Sequence, residues 1–160
     1  MSSAMLKPLR RPRLWLGLWW CGVVAVVLCS LVPAFLLPEV PQGGDKLEHF
    51  SAYALLAAAA VQLFTPRRAL VRAGIGLVAL GIGLEIAQGL FTTTRQMDVY
   101  DALANTLGVT AGLLTVLTSW RDALLRADRR PASASRVPVA RPRRTRSATG
   151  ARCANGHPDR

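Results

Sequence analysis

Apolar residues are concentrated in four stretches, each close to the length of a membrane-spanning helix. They cover residues 14–37, 47–64, 69–91 and 102–120. An α-helix rises about 1.5 Å per residue, so about 20 apolar residues cross the roughly 30 Å hydrocarbon core of a bilayer. The second and fourth stretches are near the short limit, and we expect their polar first turns at the interface. The pattern predicts an all-α integral membrane bundle of four transmembrane helices.

The first apolar stretch also has the basic start of a secretory signal peptide. However, the apolar region of a signal peptide is shorter, about 7 to 15 residues, and a small-residue cleavage site follows it. No Ala-x-Ala site lies in the link directly after this stretch, residues 38–46. We therefore expect this stretch to be retained as a transmembrane helix.

Basic residues are distributed very unevenly around these stretches. The chain has 20 Lys and Arg and a formal net charge of +11, with eleven of the basic residues after Trp120 and four before residue 14. Cytoplasmic loops of membrane proteins carry an excess of Lys and Arg. With both termini cytoplasmic, eighteen basic residues lie inside and only Lys46 and Arg95 lie outside. The sequence thus predicts a multi-pass cell-membrane protein with both termini in the cytoplasm.

The two ends of the chain differ in composition from the apolar domain between them. Residues 1–13 form a basic arm, residues 14–120 the predicted transmembrane domain, and residues 121–160 a basic tail rich in Pro, Ser and Arg. Such composition is typical of disorder, and its charge favours contact with anionic lipid. Nucleic-acid binding is not expected, because no recognition helix or interleaved aromatic residues accompany the arginines. The three cysteines show no CxxC spacing and predict neither a metal site nor a disulfide framework.

The candidate polar residues within or beside the apolar stretches fall together at the predicted outer end. Glu85 stands out, because an ionisable side chain in hydrocarbon is costly and therefore a functional-site hypothesis by default. The polar and binding candidates are Asp45, Lys46, His49, Tyr53, Glu85, Gln88, Arg95, Asp98, Asp101 and Asn105. Tolerated polar residues scattered at random would not share one side of the membrane.

Helical spacing relates several of these candidates to each other. His49 lies four residues from both Asp45 and Tyr53, and Gln88 lies three residues after Glu85. Four other residues are spaced to form a stripe along one face of a helix, with polar side chains at its start and glycines further along: Asp101, Asn105, Gly108 and Gly112. Small residues let membrane helices approach closely. We therefore expect the glycines to form packing surface and not ligand-binding surface.

The polar candidates also carry a resemblance to a known family. Residues 45–56, 83–91 and 95–108 resemble the VanZ-like pattern DK-x-x-HF-x-x-Y, E-x-x-Q-x-F and R-x-x-D-x-x-D-x-x-x-N-x-x-G. All ten candidates occupy the family's polar positions, and the resemblance covers residues 14–120. It implies a small multi-pass bacterial membrane protein of the cell envelope. The namesake is associated with resistance to the antibiotic teicoplanin, and the resemblance implies no particular biochemical activity.

Three functions remain open for the polar candidates. In a binding module, Arg95 and Lys46 would hold an anionic group of a lipid head group, lipid-linked wall precursor or glycopeptide. Carboxylates would then hold its sugar or amine. In an enzyme, Glu85 and His49 would act as acid and base, and Arg95 would stabilise developing negative charge. No Ser or Cys nucleophile is placed beside a base.

In a structural scaffold, the same side chains would satisfy one another. His49 would bond Glu85 or Asp101, Arg95 would pair with an aspartate, and Asn105 would cap a backbone group. A metal held by His49, Glu85 and Asp101 is conceivable, but no HExxH-type spacing supports it. The expectation is therefore a protein without a metal or other cofactor.

Overall fold

The computed structural model describes residues 5–32, 44–91 and 97–129, and these residues are helical almost throughout. The helices are α1 Pro12–Leu31, α2 Gly44–Leu63, α3 Arg67–Phe91, α4 Val99–Leu114 and α5 Ala123–Arg129. Two 3₁₀ turns, Thr115–Leu117 and Ser119–Asp122, connect α4 to α5. The predicted all-α class is confirmed for these residues.

Three of the helical segments are long and apolar enough to cross a membrane: Pro12–Leu31, Arg67–Phe91 and Val99–Leu117. They correspond to the first, third and fourth apolar stretches of the sequence. The helix of the second stretch, α2, is also 20 residues long, but its first turns carry Asp45, Lys46 and Glu48. By length and composition, three of the four predicted spans are thus candidates for crossing a membrane.

Helix α2 lies at the centre of the packing. Its buried side chains include Tyr53, Leu56 and Ala57, which join Val23, Leu77 and Val109 of the other helices in one apolar core. Outward-facing residues of α1 and α3 are apolar as well, among them Leu28 and Ile75. Apolar residues on both the inside and the outside of a bundle are typical of a helix bundle surrounded by lipid.

Helices α2 and α4 approach each other through the predicted glycine stripe. A Cβ atom at Gly108 would collide with the carbonyl oxygen of Phe50. At Gly112 it would collide with the Ala54 carbonyl oxygen and lie 2.6 Å from the Cβ of Ala57. The two glycines are therefore packing surface, which confirms the prediction for this stripe.

The basic arm, the end of α2 and the segment after α4 meet at one end of the bundle. The Lys7 N–H donates to the Leu63 carbonyl at 2.7 Å, and the Lys7 Nζ lies 2.9 Å from the Asp122 carboxylate. The Trp15 Nε1 donates to Asp128 Oδ1 at 3.2 Å. Residues 121–129, which the sequence analysis assigned to the tail, are thus helical and in contact with the arm. The rest of the tail lies outside the described residues.

Candidate functional site

At the opposite end of the bundle, polar side chains from three helices converge. The first turns of α2, the final third of α3 and the start of α4 meet there because consecutive helices run in opposite directions, so that α2 and α4 run parallel. We call this group the polar cluster and define it as Lys46, His49, Glu85, Asp98, Asp101 and Asn105. The cluster brings together six of the ten candidate residues.

Glu85 is the most buried acid of the cluster, with 2% of its surface exposed. Its Oε2 accepts a long hydrogen bond, 3.4 Å, from the backbone N–H of Asp98. Its Oε1 is buried and accepts no hydrogen bond from the described residues. A buried carboxylate oxygen without a partner is costly, typically by about 1–3 kcal/mol or more. Glu85 is therefore poorly satisfied by the part of the protein described here.

His49 lies between the two acids but hydrogen-bonds to neither. Its Nδ1 lies 3.1 Å from Asn105 Oδ1, and because that oxygen can only accept, the Nδ1–H must donate. The Nδ1 is 3.9 Å from Glu85 Oε1, and the Nε2 is 3.9 Å from Asp101 Oδ2. The expected capping role of Asn105 is thus replaced by a hydrogen bond to His49. The expected hydrogen bonds from His49 to Glu85 or Asp101 are replaced by these longer separations.

Lys46 connects the aspartates at the rim of the cluster. Its Nζ lies 2.9 Å from Asp98 Oδ2, 3.2 Å from Asp101 Oδ1 and 3.3 Å from Asp45 Oδ2. The hydrogen bond from Lys46 is the main reason that the pKa of Asp98 lies below its usual range. Asp98 also begins α4, because its Oδ1 accepts the Tyr100 N–H at 2.8 Å. Lys46 thus pairs with both Asp98 and Asp101, whereas the predicted pairing of Arg95 with an aspartate lies outside the described residues.

The four remaining candidates occupy different places. Asp45 lies at the margin, with 48% of its side chain exposed, and contacts the cluster through Lys46. Tyr53 lies in the apolar core, and its buried hydroxyl has no hydrogen-bond partner among the described residues. Gln88 donates to the Ser30 carbonyl of α1 at 2.7 Å. Arg95 lies outside the described residues.

The charges within this end of the bundle are unbalanced. Among the described residues, four carboxylates contact Lys46 or His49, namely those of Asp45, Glu85, Asp98 and Asp101, whereas Lys46 is the one lysine or arginine of this group. An excess of acid in a partly buried site favours a cationic or hydrogen-bond-donating ligand. Next to Glu85 and Asp101, such a site would therefore suit the hydrogen-bond donors of a ligand.

A second polar network, at the other end of the bundle, was not anticipated from the sequence. It joins Lys7 to Asp122 and joins Trp15 and the Arg10 backbone to Asp128. The available signal was the presence of two aspartates in a segment otherwise rich in arginine. Lys7 is 9% exposed, and its ammonium group donates to the Arg121 carbonyl and the Asp122 carboxylate. We therefore interpret this network as a structural connection between the basic arm and the segment after α4.

Comparisons with protein-family models, curated proteins and solved structures found no significant match to this chain. The VanZ-like resemblance therefore stays a prediction that depends on the three sequence motifs.

Proposed function

We propose that this chain is a VanZ-like protein of the bacterial cell envelope that binds a lipid head group or lipid-linked wall precursor at the polar cluster. The observation that carries the proposal is the convergence of His49, Glu85 and Asp101 from three helices at one end of an apolar bundle. An ionisable group that is buried and incompletely satisfied by the described residues is costly to the fold. A ligand that donates the missing hydrogen bond to Glu85 would explain why such a side chain is present.

The ligand chemistry follows from the charges of the cluster. An amine or sugar hydroxyl would donate to Glu85 and Asp101, which carry the acid excess. A phosphate would lie at the rim, where Lys46 and, in the sequence motif, Arg95 provide cations. Lipid head groups and wall precursors combine phosphates with amines or sugars. Interference with such molecules is also a plausible route to tolerance of a lipid-bearing glycopeptide such as teicoplanin.

The proposal includes a membrane topology. The three apolar segments and α2 would form four spans with both termini in the cytoplasm, and the polar cluster would face outward. The eighteen-to-two distribution of basic residues supports this orientation. Green fluorescent protein joined to the C-terminus should fluoresce, whereas alkaline phosphatase joined there should be inactive. The opposite result would reverse the predicted orientation and place the cluster on the cytoplasmic side.

The binding proposal is tested with single substitutions in a glycopeptide-susceptible bacterial host. His49→Ala and Glu85→Gln should abolish any tolerance that the chain confers, while the protein remains in the membrane at unchanged abundance. Glu48→Gln is the matched control, since Glu48 precedes His49 on the same helix but is exposed. Loss of folded protein in both cluster variants, with a normal control, would instead support a structural scaffold.

One observation favours an enzyme as the second candidate. Glu85 Oε1 is buried, accepts no hydrogen bond from the described residues and lies 3.9 Å from His49 Nδ1, an arrangement that an acid–base pair awaiting a substrate would also show. Lipid extracts of cells with wild-type and Glu85→Gln protein, analysed by mass spectrometry, distinguish the two. A lipid species that changes with the variant supports catalysis. An unchanged lipid profile, together with tolerance that depends on Glu85, supports binding.

A further inference from the structure

Three potential metal ligands from three different helices converge in the polar cluster. One ligand atom each of His49, Glu85 and Asp101 can be chosen such that all three lie within 4.8 Å of one another. Ligand atoms bound to one ion at about 2.1 Å are themselves roughly 3 to 4 Å apart. Small side-chain rotations would therefore bring these three atoms into a coordination shell.

The buried Glu85 side chain provides an independent indication of a missing ligand. Its side chain is 3% exposed, and its Oε1, which lies 3.9 Å from His49 Nδ1, has no hydrogen-bond donor among the described residues. A cation placed between Glu85, His49 and Asp101 would supply the absent partner. It would also offset the excess negative charge at this end of the bundle.

The surroundings of the three side chains resemble the outer shell of a metal site. Metal-binding histidines usually donate their second ring N–H to a carbonyl or carboxylate group, which fixes the tautomer. Here the His49 Nδ1–H donates to Asn105 Oδ1, an arrangement that in the neutral ring would leave the Nε2 lone pair for a metal ion; Nε2 lies 3.9 Å from Asp101 Oδ2. The other oxygen of Asp101 is held by Lys46 at 3.2 Å. Both ligands are thus oriented by a neighbour.

We propose that His49, Glu85 and Asp101 bind a divalent transition-metal ion such as Zn²⁺. An imidazole with two carboxylates suits Zn²⁺ or Mn²⁺ better than Ca²⁺ or Mg²⁺, which prefer oxygen ligands alone. Three protein ligands leave at least one coordination position open, as in catalytic zinc sites. An HExxH motif is absent from these three ligands because each one comes from a different helix. This site does not depend on the lipid-binding proposal.

The test uses the full-length protein in detergent, purified without a polyhistidine tag and stripped with a chelator. Cys153→Ala and His157→Ala are introduced in every sample, because tail residues of these types can chelate zinc. Titration with Zn²⁺ by calorimetry, together with elemental analysis after dialysis, should show one ion per chain. Glu85→Gln and Asp101→Asn should each weaken binding at least about 100-fold. Asn105→Ala, which removes only the orienting partner, should weaken it by about 10- to 100-fold.

Glu48→Gln is the matched control and should bind Zn²⁺ like the parent protein. Circular dichroism of the metal-free samples verifies that each variant is folded, and the less buried Asp101 provides the test should Glu85→Gln fail to fold. Zinc binding unchanged in folded Asp101→Asn, or no zinc binding by the parent protein, would overturn the proposal. A variant that loses zinc binding but binds lipid like the parent protein would leave the head-group proposal intact. The zinc proposal and the head-group proposal can therefore fail separately.

Discussion

Because α2 and α4 are in close contact, we predict that a single methyl group added at Gly112 destabilises the protein. In Gly112→Ala, the new Cβ would lie 2.6 Å from the Cβ of Ala57 and 2.9 Å from the backbone nitrogen of Ala58. Ordinary contacts between carbon atoms are about 3.5–4.0 Å long. The two helices must therefore separate by roughly 1 Å, and overpacking of this kind costs about 1–3 kcal/mol.

A matched control separates this packing cost from backbone effects. Replacing Gly by Ala inside a helix contributes up to about 1 kcal/mol of intrinsic helix propensity. Gly83→Ala shows that gain alone, because no heavy atom lies within 4 Å of a Cβ at this position. For a chain of this size, a difference of 1–3 kcal/mol corresponds to about 3–10 °C in melting temperature.

Thermal unfolding in detergent, followed by tryptophan fluorescence, measures this difference. Gly112→Ala should melt below the wild type, and Gly83→Ala should melt at or above it. If Gly112→Ala were as stable as Gly83→Ala, the contact of α2 with α4 would be looser than described. The inferred role of the glycine stripe would then be incorrect.

Three further predictions concern the polar side chains. The hydrogen bond from Lys7 is the main reason that the pKa of Asp122 is lowered. The ionised Asp122 therefore stabilises the fold above its unfolded pKa of about 4, and this stabilisation is lost as the pH falls below that value. Between pH 6 and 3, the melting temperature of Asp122→Asn should accordingly depend less on pH than that of the wild type. Lys46→Gln should lower the melting temperature only slightly, because the Lys46 ion pairs are solvent-exposed, and the effect should shrink further at roughly 0.5 M salt. Gln88→Ala should lower the free energy of unfolding by about 1–3 kcal/mol, because the Ser30 carbonyl loses its buried hydrogen-bond donor. A melting temperature equal to that of the wild type would exclude a stabilising role for this hydrogen bond.

The helices were largely predictable because their signals are local. Each apolar stretch of about 20 residues corresponds to a helix, and the small stripe of Gly108 and Gly112 indicated close packing before its partner was known. Boundaries were less accurate. The fourth stretch was expected from residue 102, but α4 begins at Val99 because the Asp98 side chain caps it.

The partners within the site were less predictable, because they depend on which helices lie side by side. Helical spacing identified His49 and Asn105 as candidates but could not show that they bond to each other across α2 and α4. Likewise, Lys46 could be placed at the outer end, yet its contacts with Asp98 and Asp101 join residues more than 50 positions apart. Such long-range pairs leave no periodic pattern in a single sequence.

The central claim is that the polar cluster is a ligand site and not merely a connection between helices. Native mass spectrometry of the protein released from membranes with its bound lipids tests this most directly. We predict a specific lipid adduct on the wild type and on Glu48→Gln that is absent from folded His49→Ala and Glu85→Gln. The same adducts at the same occupancy on all four proteins would contradict the claim.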